Sequence, residues 1–414
     1  MGDWRERIKR RTADRKAKEL QRTLRSQSRE GGSALVLPTG RVLDFCSNDY
    51  LAMAGNAEVI RAARTAALRI GAGARASRLV TGNYDLLDEL ETELAEFKGT
   101  QTALVFPTGY HANLGLITTL VEPRDAVFLD RLAHACLVDG VRLSGARLRV
   151  FPHNDLERLD NLLARHAEAP ARWILTEGIF SMDGDLVPLP GLLELARKHD
   201  ATIILDDAHA TGVLGPTGRG ITEHYGIDPA EWVPHLITTG TLSKALGSQG
   251  GVVFGTRELR CEMINQARSF VYTTGLAPPA AGAALAALRI LKREPAAVRQ
   301  LEERTALVRL ALEENGIALP AGVRSPILPI LLGEADRAVA CSRQLERQGV
   351  LCLPIRPPTV PRGTSRLRIT VTLNHGEAEC HQACHRIARA VATAAKMKEP
   401  NPVHAFIIPT KETI

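Results

Sequence analysis

Long hydrophobic runs are missing from this sequence of 414 residues, although 45% of its residues are hydrophobic. No stretch reaches the eighteen or more consecutive apolar residues that suggest a membrane-spanning helix. The N-terminal residues also lack the apolar segment of a secretory signal. We therefore expect no membrane span and a cytoplasmic location. Internal repeats and low-complexity tracts are absent as well, and the length allows one large and one smaller globular domain.

Cysteine is scarce, and its distribution does not suggest disulfides. The seven cysteines are scattered, mostly in apolar surroundings, at positions 46, 136, 261, 341, 352, 380 and 384. An odd, scattered set is typical of reduced thiols packed as small hydrophobic residues. The stretch "ECHQACHRIA" offers a metal site as the alternative, with Cys380, His381, Cys384 and His385 on one helix. No second ligand cluster occurs elsewhere, so we expect helix packing there and no metal.

The net excess of positive charge comes from the N-terminal end of the chain. Residues 1–32 hold eleven Lys and Arg against five Asp and Glu, and this excess equals the net charge of +6. A basic helical arm can bind nucleic acid, but this arm has no interleaved aromatic residues and no known binding module. We expect a solvated helix with a few docking residues. An arginine of the arm that meets an anionic substrate is the sharper alternative.

The middle of the chain alternates short apolar runs with helical segments. The first is "ALVF" at 103–106 and a late one is "GVVFG" at 251–255. This alternation over about 200 residues predicts a mainly parallel central sheet covered by helices, an α/β fold. Before it, "SALVLPTGRVLDF" predicts a short hairpin.

After about residue 280 the pattern changes to alanine-rich and charged amphipathic helices. They are predicted at 280–293 and 296–315, and two later strands, "VLCLPI" and "RLRITVT", precede a last helix near 377–396. A unit of this size is typical of a smaller α+β domain. The resulting division is an arm and hairpin at 1–45, a large domain at 46–290, a small domain at 291–397 and a tail at 398–414.

Polar residues follow the ends of four predicted strands. They are "TGYH" (108–111), "SMDGD" (181–185), "DDAHATG" (206–212) and "TGTLSK" (239–244). In an open parallel sheet, ligands bind at the carboxyl ends of the strands, where helix N-termini and turn backbones gather. Each stretch alone is also typical of an ordinary turn or helix cap. Together they favour one cofactor, pyridoxal 5′-phosphate.

Lys244 is the residue that suggests this cofactor. It lies among small and apolar neighbours, which favour the neutral amine that a Schiff base with an aldehyde requires. Asp206, at the end of a buried strand, is placed to keep the pyridine nitrogen protonated. His209 is placed near the phenolic oxygen of the ring. Donors for the phosphate are predicted at Gly109, Tyr110 and Thr241.

These motifs resemble the α-oxoamine synthases, pyridoxal-phosphate enzymes of fold type I, the aspartate aminotransferase-like fold. The resemblance covers nearly the whole chain and rests on long motifs: "SNDYL" (47–51), "TEGIFSMDGD" (176–185), "LDDAHATGVLGPTGRG" (205–220), "GTLSKALGSQGG" (240–251) and "IRPPTVPRGTSRLRITVT" (355–372). Members of the family are acyltransferases that condense an amino acid with an acyl thioester and release carbon dioxide. They act as homodimers with shared active sites.

The resemblance also implies roles for individual residues. Lys244 would hold the cofactor and act as base and acid, while His134 would stack on the pyridine ring and contact the substrate. Ser181 and His209 would hold the ring oxygen side, and Thr274 would reach the phosphate of the neighbouring subunit. Arg368 would bind the amino-acid carboxylate. Arg22 and Thr359 would contact the acyl substrate.

The segment 355–372 is most similar to the family members that act in biotin biosynthesis. It implies L-alanine and a pimeloyl thioester, carried by coenzyme A or by a carrier protein, as the substrates. The alternative is another α-oxoamine synthase, of the 2-amino-3-ketobutyrate ligase, 5-aminolevulinate synthase or serine palmitoyltransferase type. A third possibility is a binding protein that uses the basic arm on a decayed enzyme scaffold; the retained Lys244, Asp206 and His209 argue against it.

Overall fold

The computed structural model describes residues 3–29 and 31–396, so the predicted tail at 398–414 lies outside the described residues. The α-helices are α1 (Trp4–Ala17), α2 (Ala57–Ile70), α3 (Asp85–Lys98), α4 (Gly109–Leu120), α5 (Ala135–Ser144), α6 (Leu156–Ala164), α7 (Leu189–Lys198), α8 (Ile221–His224), α9 (Arg257–Gln266), α10 (Arg268–Val271), α11 (Pro278–Arg293), α12 (Ala296–Glu314), α13 (Ala335–Arg347) and α14 (Glu377–Ala395). The strands are β1 (Ser28–Arg29), β2 (Ala34–Leu37), β3 (Gly40–Asp44), β4 (Thr102–Phe106), β5 (Ala126–Asp130), β6 (Arg147–Phe151), β7 (Arg172–Glu177), β8 (Thr202–Asp206), β9 (Leu236–Thr241), β10 (Gly251–Gly255), β11 (Ile327–Gly333), β12 (Val350–Leu351), β13 (Pro354–Ile355) and β14 (Ser365–Thr370).

A seven-stranded sheet in the order β4-β10-β9-β8-β7-β5-β6 forms the centre of the fold. Its strands run parallel except β10, which pairs antiparallel with both of its neighbours. Successive side chains of a strand point to opposite faces, so Ile203 packs into one core with α3 and α7, whereas Ile204 packs into another with α4 and α5. The prediction of a mainly parallel sheet covered by helices is confirmed.

The start of β10 lies directly against the start of α4. A Cβ atom added at Gly251 would meet the Thr108 carbonyl oxygen at 2.3 Å and the Gly109 Cα at 2.5 Å. Only glycine permits this approach. The contact brings the end of β9, and the loop after it, beside the N-terminus of α4.

Apart from the cores on the two faces of the large sheet, a separate core lies in the C-terminal part of the chain and is named the second core. The sheet β11-β14-β13 is covered by α12, α13 and α14. The predicted packing role of Cys380 and Cys384 is confirmed, because both are fully buried in this core. The predicted single strand "VLCLPI" is wrong: β12 joins the predicted hairpin β2–β3, whereas β13 pairs with β14 in the other sheet. The fully buried Cys352, between β12 and β13, packs into the second core.

The change from the first core to the second occurs within helix α12. Leu301 belongs to the core of the large sheet, whereas Val308 belongs to the C-terminal core. The preceding helix α11 packs entirely into the large core, with Leu291 fully buried. We propose the predicted division into domains, and the two cores meet within α12, on the C-terminal side of the predicted boundary at 290.

The described part of the N-terminal arm, residues 3–29, contributes no residue to either core. Helix α1 begins at the N-cap Asp3, whose carboxylate accepts a hydrogen bond from the backbone N–H of Arg5 at 3.0 Å, and none of its residues is buried. The chain then passes the C-terminal unit, where Arg25 pairs with Glu346. Across residues 3–29 and 31–396, no helix has the length and apolar character needed to cross a membrane.

Candidate active site

Two carboxylates lie side by side at the carboxyl edge of the central sheet. Glu177 ends β7, Asp206 ends β8, and the two residues are paired in the register of these strands. Both are buried. The edge also gathers the loops that follow β4, β5 and β9, because parallel strands end on the same side. The two carboxylates and these loops therefore lie at one edge of the sheet.

Asp206 is held in a fixed orientation from the helix side of the sheet. Its Oδ2 accepts a hydrogen bond from Asn113 Nδ2 of α4 at 2.8 Å, and its Oδ1 accepts one from the Ala208 N–H at 3.0 Å. Asn113 is itself fixed, because its Oδ1 accepts from Thr239 Oγ1 at 2.8 Å. A buried carboxylate held in this way is a suitable partner for a protonated ring nitrogen.

His134 caps the N-terminus of α5 next to these carboxylates. Its Nδ1 accepts a hydrogen bond from the Cys136 N–H at 3.2 Å, so the neutral ring carries its proton on Nε2. Burial lowers the pKa of His134 and the charge of Lys244 acts in the same direction, although Asp206 opposes them. A neutral imidazole at this position can stack on an aromatic ring.

Lys244 follows β9 and reaches the same space. Its neighbours Leu242, Ala245 and Leu246 are buried. Burial lowers the pKa of Lys244 to about 8, and the nearby Arg368 acts in the same direction, while Asp206 and Glu177 only partly oppose this shift. A substantial fraction of this amine is therefore neutral near pH 8, as a nucleophile or a general base requires.

His209 is buried on the loop that follows Asp206. Its Nδ1 lies 2.6 Å from the hydroxyl of Tyr50. Burial lowers the pKa of His209 well below its usual value, and Lys244 and Arg368 act in the same direction. The ring is therefore neutral and, with Tyr50, forms a hydrogen-bonding wall beside the lysine.

A buried ion pair fastens the loop that carries His209. The Nζ atom of Lys98, the last residue of α3, donates to Asp207 Oδ2 at 2.7 Å and to Thr211 Oγ1 at 3.1 Å, and it also donates to the carbonyl of Arg219. Both charged side chains are almost inaccessible to water. This pair fixes both ends of the loop that follows β8.

Ser181 and Arg368 connect the sheet edge with the C-terminal unit. Arg368 Nε donates to the Ser181 carbonyl at 2.5 Å, and its Nη1 donates to Asn48 Oδ1 at 3.1 Å and Thr370 Oγ1 at 2.9 Å. The guanidinium is buried, with 8% of the residue exposed, and it makes no ion pair with any residue that the structure describes. A buried cation without a carboxylate partner is a binding site for an anion.

The predicted phosphate contacts lie around the N-terminus of α4. Gly109 and Tyr110 open this helix, after the N-cap Thr108. Thr241 is buried next to Gly109, and its hydroxyl donates to the Gly250 carbonyl at 2.8 Å. The side chain of Tyr110 points elsewhere: its hydroxyl donates to Asp139, which raises the pKa of Tyr110 to about 12. The backbone N–H groups at this helix start form an anion-binding site.

Three predicted residues lie outside the buried group. Arg22 and Thr359 are exposed and contact each other, with Arg22 Nη2 donating to Thr359 Oγ1 at 3.1 Å. The structure thus brings together the two residues predicted to contact an acyl substrate. Thr274 is exposed in the loop before α11, and the structure records no partner for it within the described part of this chain.

The residues of the buried group fit pyridoxal 5′-phosphate. An amine that is partly neutral near pH 8 can hold the aldehyde, and Asp206 can pair with the ring nitrogen. The helix N-terminus at Gly109 can bind the phosphate. One buried oxygen, Glu177 Oε1, has no hydrogen-bond partner in residues 3–29 and 31–396, as expected where a bound group completes the site.

Comparison with known proteins identifies the family. A model of the family described as aminotransferase class I and II matches residues 40–387. The chain belongs to the class I and II aminotransferase family. An 8-amino-7-oxononanoate synthase of Maricaulis maris is 47% identical over 385 residues, which cover 90% of this chain and 94% of the relative.

Solved structures of two kinds of enzyme share the fold. Serine palmitoyltransferase from S. paucimobilis, with a bound adduct of PLP and myriocin, is 27% identical with a TM-score of 0.88. The alignment covers 94% of this chain and 98% of that chain. An 8-amino-7-oxononanoate synthase from Francisella tularensis is 28% identical with a TM-score of 0.73, covering 86% and 99%. These matches confirm the predicted fold type I architecture, pyridoxal 5′-phosphate as the cofactor, and the class of α-oxoamine synthase acyltransferases.

The sequence motifs of this aminotransferase-family chain did not single out every residue of the site. Glu177 was part of the quoted motif "TEGIFSMDGD" but received no role. Its Oε2 accepts from the Ser181 N–H at 3.2 Å, and burial, assisted by the charge of Asp206, raises its pKa well above the usual value. Asn113 and Tyr50 were also missed. An acidic residue at the end of a buried strand was the available signal for Glu177, and Tyr50 lies within the quoted motif "SNDYL". Asn113 reaches the site only through tertiary packing.

Proposed function

We propose that the protein is an 8-amino-7-oxononanoate synthase, which condenses L-alanine with a pimeloyl thioester in biotin biosynthesis. The relatives from Maricaulis maris and Francisella tularensis that carry this name support the proposal. The observation that carries it is the position of Arg368: a buried guanidinium without a carboxylate partner, close enough to Lys244 to affect the pKa of its amine.

Arg368 is suited to bind the carboxylate of the amino acid. Its Nε and Nη1 are held by Ser181, Asn48 and Thr370, and the guanidinium also contacts the hydroxyl of Tyr50. The guanidinium is thus already oriented and can donate to a planar anion without reorganisation. Binding the carboxylate here places the α-carbon of the substrate towards Lys244.

Lys244 is suited to move the α-proton. Pyridoxal 5′-phosphate, when bound, withdraws electrons from the α-carbon of the amino acid. The amine of Lys244 removes the proton from that carbon and later returns one. Asp206 would keep the ring nitrogen protonated, and the neutral rings of His134 and His209 would contact the cofactor without adding charge. Ser181 would supply a hydroxyl on the side of the ring oxygen, together with His209.

The overall reaction forms one carbon–carbon bond and breaks the Cα–H, C–S and Cα–carboxylate bonds; the α-proton leaves with the thiol, and a proton from water replaces the carboxylate on the α-carbon. The α-carbon of alanine bonds to the carbonyl carbon of the thioester, the C–S bond breaks and the thiol leaves with a proton. The carboxylate of alanine then leaves as carbon dioxide. Arg368 must therefore hold the carboxylate first and permit its loss later.

The exposed side chains of Arg22 and Thr359 contact each other although they are far apart in the sequence. Arg356 lies beside them and donates to the carbonyl of Glu19. We propose that Arg22 and Thr359 contact the acyl substrate. Coenzyme A and a carrier protein are both anionic, and both suit the basic arm.

We also propose a homodimer in the cytoplasm. The exposed Thr274, without a partner in the described part of its own chain, supports a contact with the cofactor phosphate of a second copy. Tyr272 on the same loop is strongly exposed, as expected of a residue that a partner covers.

A substrate panel tests the proposed function. Purified holoenzyme is incubated with alanine, glycine or serine, each combined with pimeloyl-CoA, pimeloyl carrier protein, acetyl-CoA, succinyl-CoA or palmitoyl-CoA, and the amino ketones are measured by mass spectrometry. We expect 8-amino-7-oxononanoate from alanine and a pimeloyl thioester, and no product from Lys244→Ala. A preference for glycine or serine with another thioester would replace the proposal with one of the related condensations.

A further inference from the structure

His153 lies between two carboxylates near the carboxyl edge of the central sheet. It follows β6, two residues after Phe151. Its Nδ1 lies 3.0 Å from Oδ1 of Asp130, the last residue of β5, and its Nε2 lies 2.7 Å from Oδ2 of Asp185. The ring of Phe180 packs perpendicular to the imidazole, with the ring centroids 4.3 Å apart. His153 thus joins the sheet edge to the loop 178–187.

The geometry requires both ring nitrogens of His153 to carry a proton. A carboxylate only accepts hydrogen bonds, and a neutral imidazole has a single N–H. Neither of the two carboxylates has another cationic partner among the described residues. Burial favours the neutral ring, but the hydrogen bonds that the ring donates to Asp130 and Asp185 outweigh it and raise the pKa of His153 to about 10.

The loop 178–187, which His153 contacts through Asp185, also makes contacts with the C-terminal unit. The Ser181 carbonyl accepts from Arg368, Asp183 pairs with Arg366, and the Gly184 carbonyl accepts from Ser325 Oγ at 2.8 Å. Asp185, the residue bound by His153, lies four positions from Ser181. A shift of Asp185 therefore moves the carbonyl that orients the Arg368 guanidinium.

We propose that His153 is a positioning residue for the condensation: as a doubly protonated bridge between Asp130 and Asp185, it holds the loop 178–187 where Ser181 orients Arg368. This inference rests on the proposed function of Arg368 as the amino-acid carboxylate site. His153 touches neither substrate nor cofactor in this scheme. Without its charge, Asp130 and Asp185 face each other uncompensated, and repulsion displaces the loop.

Kinetics of three variants test the proposal. His153→Gln removes the charge, and we expect the KM for alanine to rise about tenfold or more with a smaller change in the affinity for the cofactor. The double variant His153→Gln with Asp185→Asn removes the repulsion, and we expect it to recover most of the lost KM. If the ring acts only by packing, the second substitution gives no recovery, and that result overturns the proposal.

His199→Gln is the matched control. His199 contacts a single carboxylate, Asp160, which Lys198 also neutralises. We expect this variant to keep the wild-type KM for alanine, and a rise equal to that of His153→Gln would attribute the effect to the loss of any histidine and overturn the assignment.

A spectroscopic measurement separates this proposal from the proposed function. Holoenzyme labelled with ¹⁵N-histidine is recorded by NMR at pH 8. We expect one imidazole with two N–H signals that disappear in His153→Gln, whatever the substrate of the enzyme is. A His153 ring with a single N–H at this pH overturns the bridge even if alanine is the substrate. Failure of alanine as a substrate with the two signals present refutes the proposed function and leaves the bridge intact.

Discussion

Substitution of Lys98 by methionine should destabilise the protein severely. The ammonium group donates to Asp207 Oδ2, Thr211 Oγ1 and the Arg219 carbonyl, and 3% of the Lys98 side chain and 1% of the Asp207 side chain are exposed. Methionine has a similar length but leaves the carboxylate of Asp207 buried without a cation. Removal of one partner of a buried pair costs about 3–5 kcal/mol. That is a large part of the total free energy of unfolding, which is on the order of 5–15 kcal/mol.

The pH dependence of this effect has a definite sign. Burial already raises the pKa of Asp207, while Lys98 opposes the shift. Without Lys98 the pKa rises further, so the penalty is largest above this raised pKa, where Asp207 is ionised in both the folded and the unfolded chain. It shrinks as the pH falls and the folded carboxyl binds a proton. We expect the stability difference between the variant and the parent protein to narrow between neutral and mildly acidic pH.

Urea denaturation followed by tryptophan fluorescence, with saturating cofactor, measures the difference. Lys198→Met is the control, because its pair with Asp160 is partly exposed and should be worth less than about 1 kcal/mol. Adding Asp207→Asn to Lys98→Met removes the unpaired charge and should recover part of the loss. A Lys98→Met protein as stable as Lys198→Met at pH 7.5 would refute the reasoning.

Three further predictions concern the site and its supporting loop. The rate at which pyridoxal 5′-phosphate reattaches covalently to the apoprotein, followed by absorbance, should rise about tenfold for each unit of increasing pH. The rise should level off above the pKa of Lys244, which is about 8. A rate that does not change with pH would contradict the lowered pKa of this amine. Gly184→Ala should lower the urea midpoint far more than Gly55→Ala, because a Cβ at Gly184 would meet the Ile327 carbonyl oxygen at 2.1 Å at a φ of +73°, whereas one at Gly55 meets nothing within 4 Å. Tyr110→Phe should reduce the affinity for the cofactor phosphate less than about tenfold, since its hydroxyl contacts Asp139 and the backbone N–H remains; a larger loss in a cofactor titration would place the phenol in the site.

The sheet and the buried centre of the site could be predicted because both depend on local pattern. Runs of apolar residues mark buried parallel strands, and the residue after such a run must lie at the sheet edge. Asp206 ends one such run, and Lys244 lies three residues after another. The start of α4 at Gly109 follows the same rule.

Contacts between distant segments could not be predicted from the pattern. The division of "VLCLPI" between two sheets depends on which strands happen to lie beside Val350 and Pro354. The antiparallel direction of β10 leaves no trace in a short buried strand. The bridge at His153 joins residues 130 and 185, which no sequence periodicity relates. Such features are set by the assembled tertiary structure.

The continuity of helix α12 limits how this chain can be divided. A fragment that begins at residue 291 would keep most of the second core but lose Phe45, and it would present Leu291, Val298 and Leu301 to water after losing the sheet that covers them. At about 25 cal/mol for each Å² of apolar surface, such a stripe favours aggregation. Expression of the C-terminal part alone therefore needs a start nearer the middle of α12, or polar replacements along its first two turns.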